Sequence, residues 1–84
     1  MSEAPETAEL LAFARAVETA SLSAAARSLG VPRATIGRRL ARLEEKLGAR
    51  LLRRTTRALA LTDAGEAFYR HARIVLDAVA QAET

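Results

Sequence analysis

The stretch that decides the fold spans residues 22–47 and reads LSAAARSLGVPRATIGRRLARLEEKL. Its first part predicts a short helix over residues 24–29. Ser23 is the predicted N-cap, because a serine hydroxyl accepts a hydrogen bond from an otherwise unpaired N–H of the first turn. Gly30 then stands where many helices end in a left-handed backbone conformation, so we expect a tight turn there.

The second part of the stretch predicts a longer helix from about Pro32, which suits a first helical turn, to about Leu47. One side of this helix is apolar at helical spacing, with Ile36, Leu40, Leu43 and Leu47. The opposite side is basic, with Arg33, Arg38, Arg39, Arg42 and Lys46. Two helices joined by a tight turn, the second basic on its outer side, form a helix-turn-helix pattern over about residues 22–42.

The flanking residues complete a mainly α-helical fold. A first helix is predicted over about residues 7–19, and residues 51–61 predict a β-hairpin with strands at 51–52 and 59–61. A last helix is capped by Thr62 or Asp63 and runs on through residues 63–84. The predicted architecture is a winged helix-turn-helix in residues 1–62, with three helices and a two-stranded β wing, followed by a long C-terminal helix. The stripe that defines the first helix is Leu10, Phe13, Ala14 and Val17.

The last helix carries an apolar seam that its own domain is too small to cover. At 1.5 Å per residue, about 20 residues make a rod about 30 Å long. We therefore expect the distal half of the helix to pack against a partner. The seam has four-three-four-three spacing and consists of Phe68, Ala72, Val75, Val79 and Ala82.

Positive charge is concentrated in the middle of the chain. Residues 27–57 hold ten of the 13 basic residues and two of the ten acidic ones, and nine of those ten basic residues are arginines. Arginine presents a planar fork that matches phosphate groups and guanine edges. Solvated surfaces usually mix charges of both signs, so this segment predicts a polyanion-binding surface rather than an ordinary charged face.

Several classes of function are disfavoured by what the sequence lacks. It has no cysteine, so it has neither a thiol nucleophile nor a cysteine-based zinc site, and His71 is its one histidine. Glu44 and Glu45 are adjacent and point about 100° apart on a helix, so they do not form a cooperating carboxylate pair. We expect no enzyme, no metal site and no cofactor. No apolar run reaches the roughly 18 residues that cross a bilayer, and we expect a cytoplasmic location without membrane contact.

Four motifs, in the order and spacing of one family, make the chain resemble the opening of a LysR-type transcriptional regulator. They are Ser-x-Ala-Ala-x-x-Leu from Ser23, Leu-Glu-x-x-Leu-Gly from Leu43, Arg-Thr-Thr-Arg from Arg54 and Leu-Thr-x-x-Gly from Leu61. The resemblance covers about residues 10–79. It implies the DNA-binding domain of a bacterial regulator, which binds double-stranded operator DNA as a homodimer. The resemblance also implies that the C-terminal helix forms the dimer contact.

The resemblance also implies which residues meet DNA. Ser23 matches a serine that contacts a backbone phosphate, and the first turns of the third helix match base-reading positions in the major groove. The wing matches residues that contact phosphates and send an arginine to the minor groove. With Arg42 from the basic side of the third helix, the predicted DNA-binding residues are Ser23, Arg33, Ala34, Thr35, Gly37, Arg38, Arg42, Arg54, Thr56 and Arg57.

In this family the segment precedes a domain that senses a small-molecule effector, and that domain is absent from this chain. We therefore expect no effector binding by these 84 residues. There are two departures from the family pattern: Pro32-Arg33 stands where Ser-Gln or Ala-Gln is common, and Gly37 stands where serine is common. The departures affect the expected operator sequence rather than the fold.

Two other functions stay open on the sequence alone. One is a different winged-helix DNA binder, such as the MarR type, in which dimerisation uses both ends of the chain. The other is a protein-interaction or dimerisation module whose basic middle binds acidic proteins.

Overall fold

The computed structural model describes residues 3–54 and 59–84 of the chain. Within these ranges, the order of elements is α1 (Thr7–Thr19), α2 (Leu22–Leu29), α3 (Arg33–Leu47), β1 (Leu52–Arg54), β2 (Leu59–Leu61) and α4 (Asp63–Ala82). The two strands pair antiparallel, with Arg53 opposite Ala60. The predicted fold, a mainly helical winged helix-turn-helix with a long C-terminal helix, is confirmed.

Helix α1 lies at the centre of the fold and packs against α2, α3, α4 and β2. The predicted stripe residues Leu10, Phe13 and Ala14 are buried, and so are Ala12 and Ala16. The buried arc is wider than a single stripe because α1 has neighbours on several sides. The rest of the core comes from the other elements: Leu22, Ala25, Ala26, Ile36, Leu40, Leu43, Leu51, Leu52, Ala72 and Leu76.

The start of α2 differs from the prediction. Ser21, not Ser23, is the N-cap, and its hydroxyl accepts a hydrogen bond from the N–H of Ala24 at 3.1 Å. Leu22 is consequently the first residue of the helix and is buried in the core. Ser23 becomes the second helical residue and is exposed, so its side chain is not used in capping.

The turn of the helix-turn-helix forms as the glycine predicts. Gly30 has a φ of 68°, and its N–H donates to the carbonyl of Arg27. The next N–H, that of Val31, donates to the carbonyl of Ala26, which completes the usual glycine-ended helix terminus. Pro32 is the N-cap of α3 rather than part of its first turn, and no side chain caps this helix.

The wing is attached to α3 by a glutamate. One carboxylate oxygen of Glu44 accepts hydrogen bonds from the N–H of Leu51 at 2.7 Å and from that of Leu52 at 3.2 Å. The first strand begins at Leu52, one residue later than predicted, and continues through Arg53 to Arg54. Glu44 therefore holds the start of β1 at the C-terminal end of α3.

Helix α4 begins in close contact with the segment before the wing. Thr62 caps the helix, since its hydroxyl accepts from the N–H of Gly65 at 3.0 Å. Its own N–H donates to the carbonyl of Leu51. Gly65 lies so near that carbonyl that a Cβ would overlap with the oxygen. The glycine therefore lets the first turn of α4 pass directly over the backbone at Leu51.

The predicted seam of α4 is divided by the structure. Ala72 is buried in the chain's own core, so assigning it to an intermolecular interface was wrong. Phe68 is half-buried against that core, and its place in the seam stays a prediction. Leu76, which the seam omitted, is the inward residue one turn after Ala72. The large apolar side chains left exposed on the described residues are Ile74, at 67%, and Val75, at 44%.

We predict opposite effects of two Gly→Ala changes. Gly65→Ala lowers the free energy of unfolding by about 1–3 kcal/mol, because the new methyl group displaces α4 from Leu51. Gly37→Ala raises it by about 0.5–1 kcal/mol, because nothing lies within 4 Å of the added Cβ and alanine favours the helix. Urea unfolding followed by circular dichroism measures both, and equal stabilities for the two variants contradict the packing assigned to Gly65.

Candidate nucleic-acid interface

The outer side of α3 displays the predicted base-reading residues together. Arg33, Ala34 and Arg38 are exposed, whereas Thr35 and Gly37 are half-buried. On the opposite side, Ile36, Leu40 and Leu43 are buried in the core. The buried side fixes the rotation of α3 about its axis, so the first two turns present a surface made of arginine and small side chains.

One of these arginines is oriented by a neighbour. A terminal nitrogen of Arg38 donates to the hydroxyl of Thr35 at 3.2 Å. The two residues are three apart, a spacing that places side chains next to each other on a helix. This hydrogen bond lies at the surface and restrains the guanidinium of Arg38 above the first turn of α3.

Lys46 does not belong to this surface, although the sequence placed it on the basic side of α3. Its Nζ donates to both carboxylate oxygens of Glu9 at 2.9 Å and to the carbonyl of Ala4 at 3.3 Å. The Lys46 side chain is 7% exposed and that of Glu9 is 2% exposed. The positive charge is therefore used inside the fold, where it joins the end of α3 to the start of α1.

The environment of Glu9 favours its charged form. Burial raises the pKa of Glu9, but the hydrogen bond from the N–H of Glu6 and the contacts with Lys46 and Arg42 outweigh it, so the pKa lies below its ordinary value. The hydrogen bond that Lys46 donates to Glu9 raises the pKa of Lys46. Both groups are therefore ionised at neutral pH.

Arg42 has two environments. Its Nε lies 3.6 Å from a carboxylate oxygen of Glu9, yet 61% of its side chain is exposed. It lines a groove of about 340 Å³ between the start of α1 and α3, together with Thr35, Arg38 and Arg39. Arg42 thus stays on the basic surface while its charge is partly balanced by Glu9.

A second groove separates α3 from the wing. It has a volume of about 300 Å³ and is lined by Gly37 and Ala41 on α3 and by Arg50 and Arg54 at the wing. Arg54 is exposed, as the prediction requires. Arg50 is not among the predicted site residues, because its position in this groove depends on how the wing folds back on α3.

The remaining predicted contacts have different outcomes. Ser23 is exposed in the first turn of α2, which precedes the turn that leads into α3. The wing-tip residues Thr56 and Arg57 lie outside the described residues, so their roles stay predictions.

Metal binding and membrane contact were disfavoured by the sequence, and the described residues bear on both. Within residues 3–54 and 59–84, no three His, Cys, Asp or Glu side chains come close enough together to hold a metal ion. His71 is exposed on α4. No described helix combines the length and the apolar character needed to cross a bilayer.

We predict that the Glu9 contact makes stability depend on acid pH. A carboxyl with a lowered pKa in the folded state stabilises the fold above its ordinary pKa of about 4.5, and this contribution is lost as the pH falls through the folded-state value. Glu9→Gln therefore lowers the free energy of unfolding at pH 7 by about 1–3 kcal/mol and makes the decline below pH 4.5 shallower.

The measurement is urea unfolding between pH 3 and pH 7. Glu45→Gln is the matched control, since Glu45 is exposed on the same helix as Lys46 and a surface change of this kind alters stability by less than about 0.5 kcal/mol. Equal acid sensitivity in Glu9→Gln and the unaltered chain contradicts the assigned role of Glu9.

Residues 7–66 match the model of a family described as bacterial regulatory helix-turn-helix proteins of the lysR family. The transcriptional regulator CrgA of Neisseria meningitidis is 46% identical over 76 residues, which are 90% of this chain and 25% of CrgA. A transcriptional regulator of Xanthomonas campestris is 43% identical over 76 residues, 90% of this chain and 22% of that protein. The chain thus spans about a quarter of the length of these curated relatives.

Solved structures with the same fold include complexes with DNA. The BenM DNA-binding domain with its catB site 1 DNA has a TM-score of 0.86 and 36% identity, covering 90% of this chain and 85% of that one. The CbnR DNA-binding domain with DNA has a TM-score of 0.87 and 36% identity, covering 93% and 90%. Oxidized OxyR of Corynebacterium glutamicum has a TM-score of 0.91 and 32% identity, covering 94% of this chain and 24% of OxyR.

Proposed function

Because the chain belongs to the LysR family of bacterial regulatory helix-turn-helix proteins, we propose that it binds operator DNA sequence-specifically as a homodimer. In this proposal α3 enters the major groove and the wing lies at the neighbouring minor groove. The relatives named above are transcriptional regulators, and BenM and CbnR are described in complex with DNA. Binding to a bacterial chromosome corresponds to a cytoplasmic location. The LysR match also favours this family over the MarR alternative.

The observation that carries the proposal is the exposed surface at the start of α3. The major groove of B-DNA is about 12 Å wide and admits an α-helix. Ala34 offers no bulk that would keep the helix away from the bases. Arg33 and Arg38 carry forks that pair with O6 and N7 of guanine, and Thr35 holds the guanidinium of Arg38 in place.

Gly37 has no role in the packing of the described residues that would require a glycine. Nothing lies within 4 Å of the Cβ that another residue would add there, and a glycine inside a helix costs about 1 kcal/mol relative to alanine. It lines the groove between α3 and the wing. We assign it to the close approach of a DNA strand to the backbone of α3.

The other predicted contacts meet the phosphate backbone or the minor groove in this proposal. Ser23 precedes the base-reading turns in the sequence and Arg42 follows them. Arg54 lines the wing side of the groove whose α3 side contains Gly37. Thr56 and Arg57, at the wing tip, contact a phosphate and the minor groove respectively. The phosphate contacts fix the register of the protein on DNA without reading the sequence, whereas an arginine in the minor groove responds to the width of that groove.

The homodimer uses the exposed side of α4. Ile74 and Val75 are large apolar residues left in solvent, and Ala67, Ala78 and Ala82 are exposed at helical spacings from Ile74. This surface keeps Val75 and Ala82 of the predicted seam. It leaves out the buried Ala72 and the half-buried Phe68 and Val79. A second copy of α4 covers the surface and lets small side chains approach one another.

We predict that Arg33 reads guanine in each half-site. Selection of bound sequences from a random DNA pool yields a guanine at one position of the half-site for the unaltered chain, and Arg33→Gln changes that preference to adenine. The physical reason is that glutamine pairs with N6 and N7 of adenine, and each such pair discriminates by about 1–3 kcal/mol.

Arg70→Gln is the control for this selection, since Arg70 is exposed on α4 outside the basic segment, and it leaves the selected motif unchanged. If Arg33 contacts a phosphate instead, Arg33→Gln weakens binding to every sequence. A dimer that neutralises roughly eight phosphates has a slope of log K against log salt of about −7. The variant then makes this slope shallower by about one per protomer. Selection that yields no motif with the unaltered chain contradicts sequence-specific binding and favours the protein-interaction module.

We also predict that Ile74→Asp converts the homodimer into monomers. Pairing of two α4 helices buries the new carboxylate without a partner, which costs several kcal/mol. Sedimentation equilibrium measures the mass and circular dichroism shows that the helices are kept. Ala80→Asp is the control, because Ala80 is exposed on a different side of α4 and this variant stays dimeric. A dimeric Ile74→Asp chain places the interface elsewhere.

A further inference from the structure

Glu18, near the end of α1, joins α1 to α4 through one carboxylate. One of its oxygens accepts a hydrogen bond from the Tyr69 hydroxyl at 2.8 Å and another from the Arg73 guanidinium at 2.8 Å, both on α4. The other oxygen accepts from Arg15 at 3.0 Å. The Nε of Arg15 in turn donates to the Ser28 hydroxyl on α2 at 3.1 Å.

This cluster lies where α4 leaves the body of the fold. At its start the helix is held by the contact between Gly65 and the backbone of Leu51. Further along, Tyr69 packs on Phe13, with ring centroids 6.2 Å apart. Beyond Arg73, Leu76 is the last buried residue of α4. The Glu18 contacts are therefore directional bonds near the end of the supported part of the helix.

Two attachments at different points along α4 bear on its direction: the packing contact at Gly65 and the hydrogen bonds to Glu18. The Gly65 contact acts as a pivot, and a second point of attachment is needed to fix the angle of a rod. The hydrophobic burial of α4 is itself non-directional, whereas hydrogen bonds weaken steeply away from their preferred geometry. Side chains exposed as much as those of Glu18 and Arg73, 33% and 36%, add little stability through an ion pair, so the contact is suited to orientation rather than to stability.

We propose that Glu18 is a positioning residue that sets the angle between α4 and the helix-turn-helix, and thereby the spacing of the half-sites that the homodimer accepts. This inference rests on the proposed function. From the pivot at Gly65 to Ala82 the helix is about 26 Å long. A tilt of about 10° moves its end by about 4 Å, and two protomers together move by about 9 Å, which exceeds the 3.4 Å rise of one base pair.

The experiment measures the affinity of the 84-residue chain for DNA that carries two selected half-sites, with the spacer changed one base pair at a time. Glu18→Gln removes the charge and Tyr69→Phe removes the hydroxyl while keeping the ring. Each variant lowers the preference for the best spacer over its neighbours by about two- to thirtyfold, the range of coupling changes seen for residues that contact no ligand. Affinity for a single half-site is unchanged.

Two comparisons separate positioning from a general loss of stability. Asp77→Asn is the matched control, because Asp77 also pairs with Arg73, at 2.9 Å, but lies one turn further along α4 itself. It removes one charge and leaves the spacer preference intact. The double variant Glu18→Gln with Tyr69→Phe has no larger effect than the stronger single variant, because both act through one contact. Additive effects, or an unchanged spacer preference in Glu18→Gln, overturn the proposal.

A measurement without DNA distinguishes this proposal from the function on which it rests. The sequence has no cysteine, so Glu45→Cys on α3 and Gln81→Cys on α4 introduce the two labelling sites for spin labels. With excess unlabelled chain, each dimer contains one labelled protomer, and Glu18→Gln broadens the distance distribution between the labels. If the unaltered chain binds no DNA, the proposed function is wrong, and this distance alone decides whether Glu18 orients α4. An unchanged distribution shows that it does not.

Discussion

Phe13 makes the contact on which the arrangement of this small domain depends. Its ring is fully buried and meets Phe68 at a centroid distance of 5.7 Å and Tyr69 at 6.2 Å. Aromatic pairs at such distances contribute beyond the area they bury. A chain of this length has a thin core, so the aromatic cluster between α1 and α4 joins the helix-turn-helix to the C-terminal helix within one hydrophobic core.

Two carboxylates on α1 connect this helix to α3 and to α4. Glu9, at the start of the helix, is buried and bound by Lys46 at the end of α3. Glu18, near the other end, is partly exposed and bound by Tyr69 and Arg73 of α4. The first contact supports the helix that is proposed to enter DNA, and the second supports the helix that is proposed to form the dimer. Burial makes the first a matter of stability, whereas exposure leaves the second mainly a matter of geometry.

The basic residues likewise fall into two groups. Lys46, Arg15 and Arg73 are occupied by carboxylates that belong to the fold. Arg33, Arg38 and Arg54 are exposed along α3 and the wing, where a polyanion can reach them. Net charge alone does not separate the groups, since both contribute equally to it. The distinction comes from which helix lies next to each side chain.

The sequence by itself determined the helices, the turn at Gly30, the hairpin and the family, because periodicity, capping residues and short motifs act over a few residues of the chain. It also identified the exposed arginines of α3, since the apolar stripe of that helix fixes its opposite side. Only the tertiary structure showed that Ser21 rather than Ser23 caps α2, that Lys46 is paired with Glu9, and that Ala72 belongs to the core rather than to an interface. The pairing of Lys46 depends on a partner far away in the sequence, and the other two depend on how deeply the core covers Leu22 and Ala72. Neither quantity is present in local spacing.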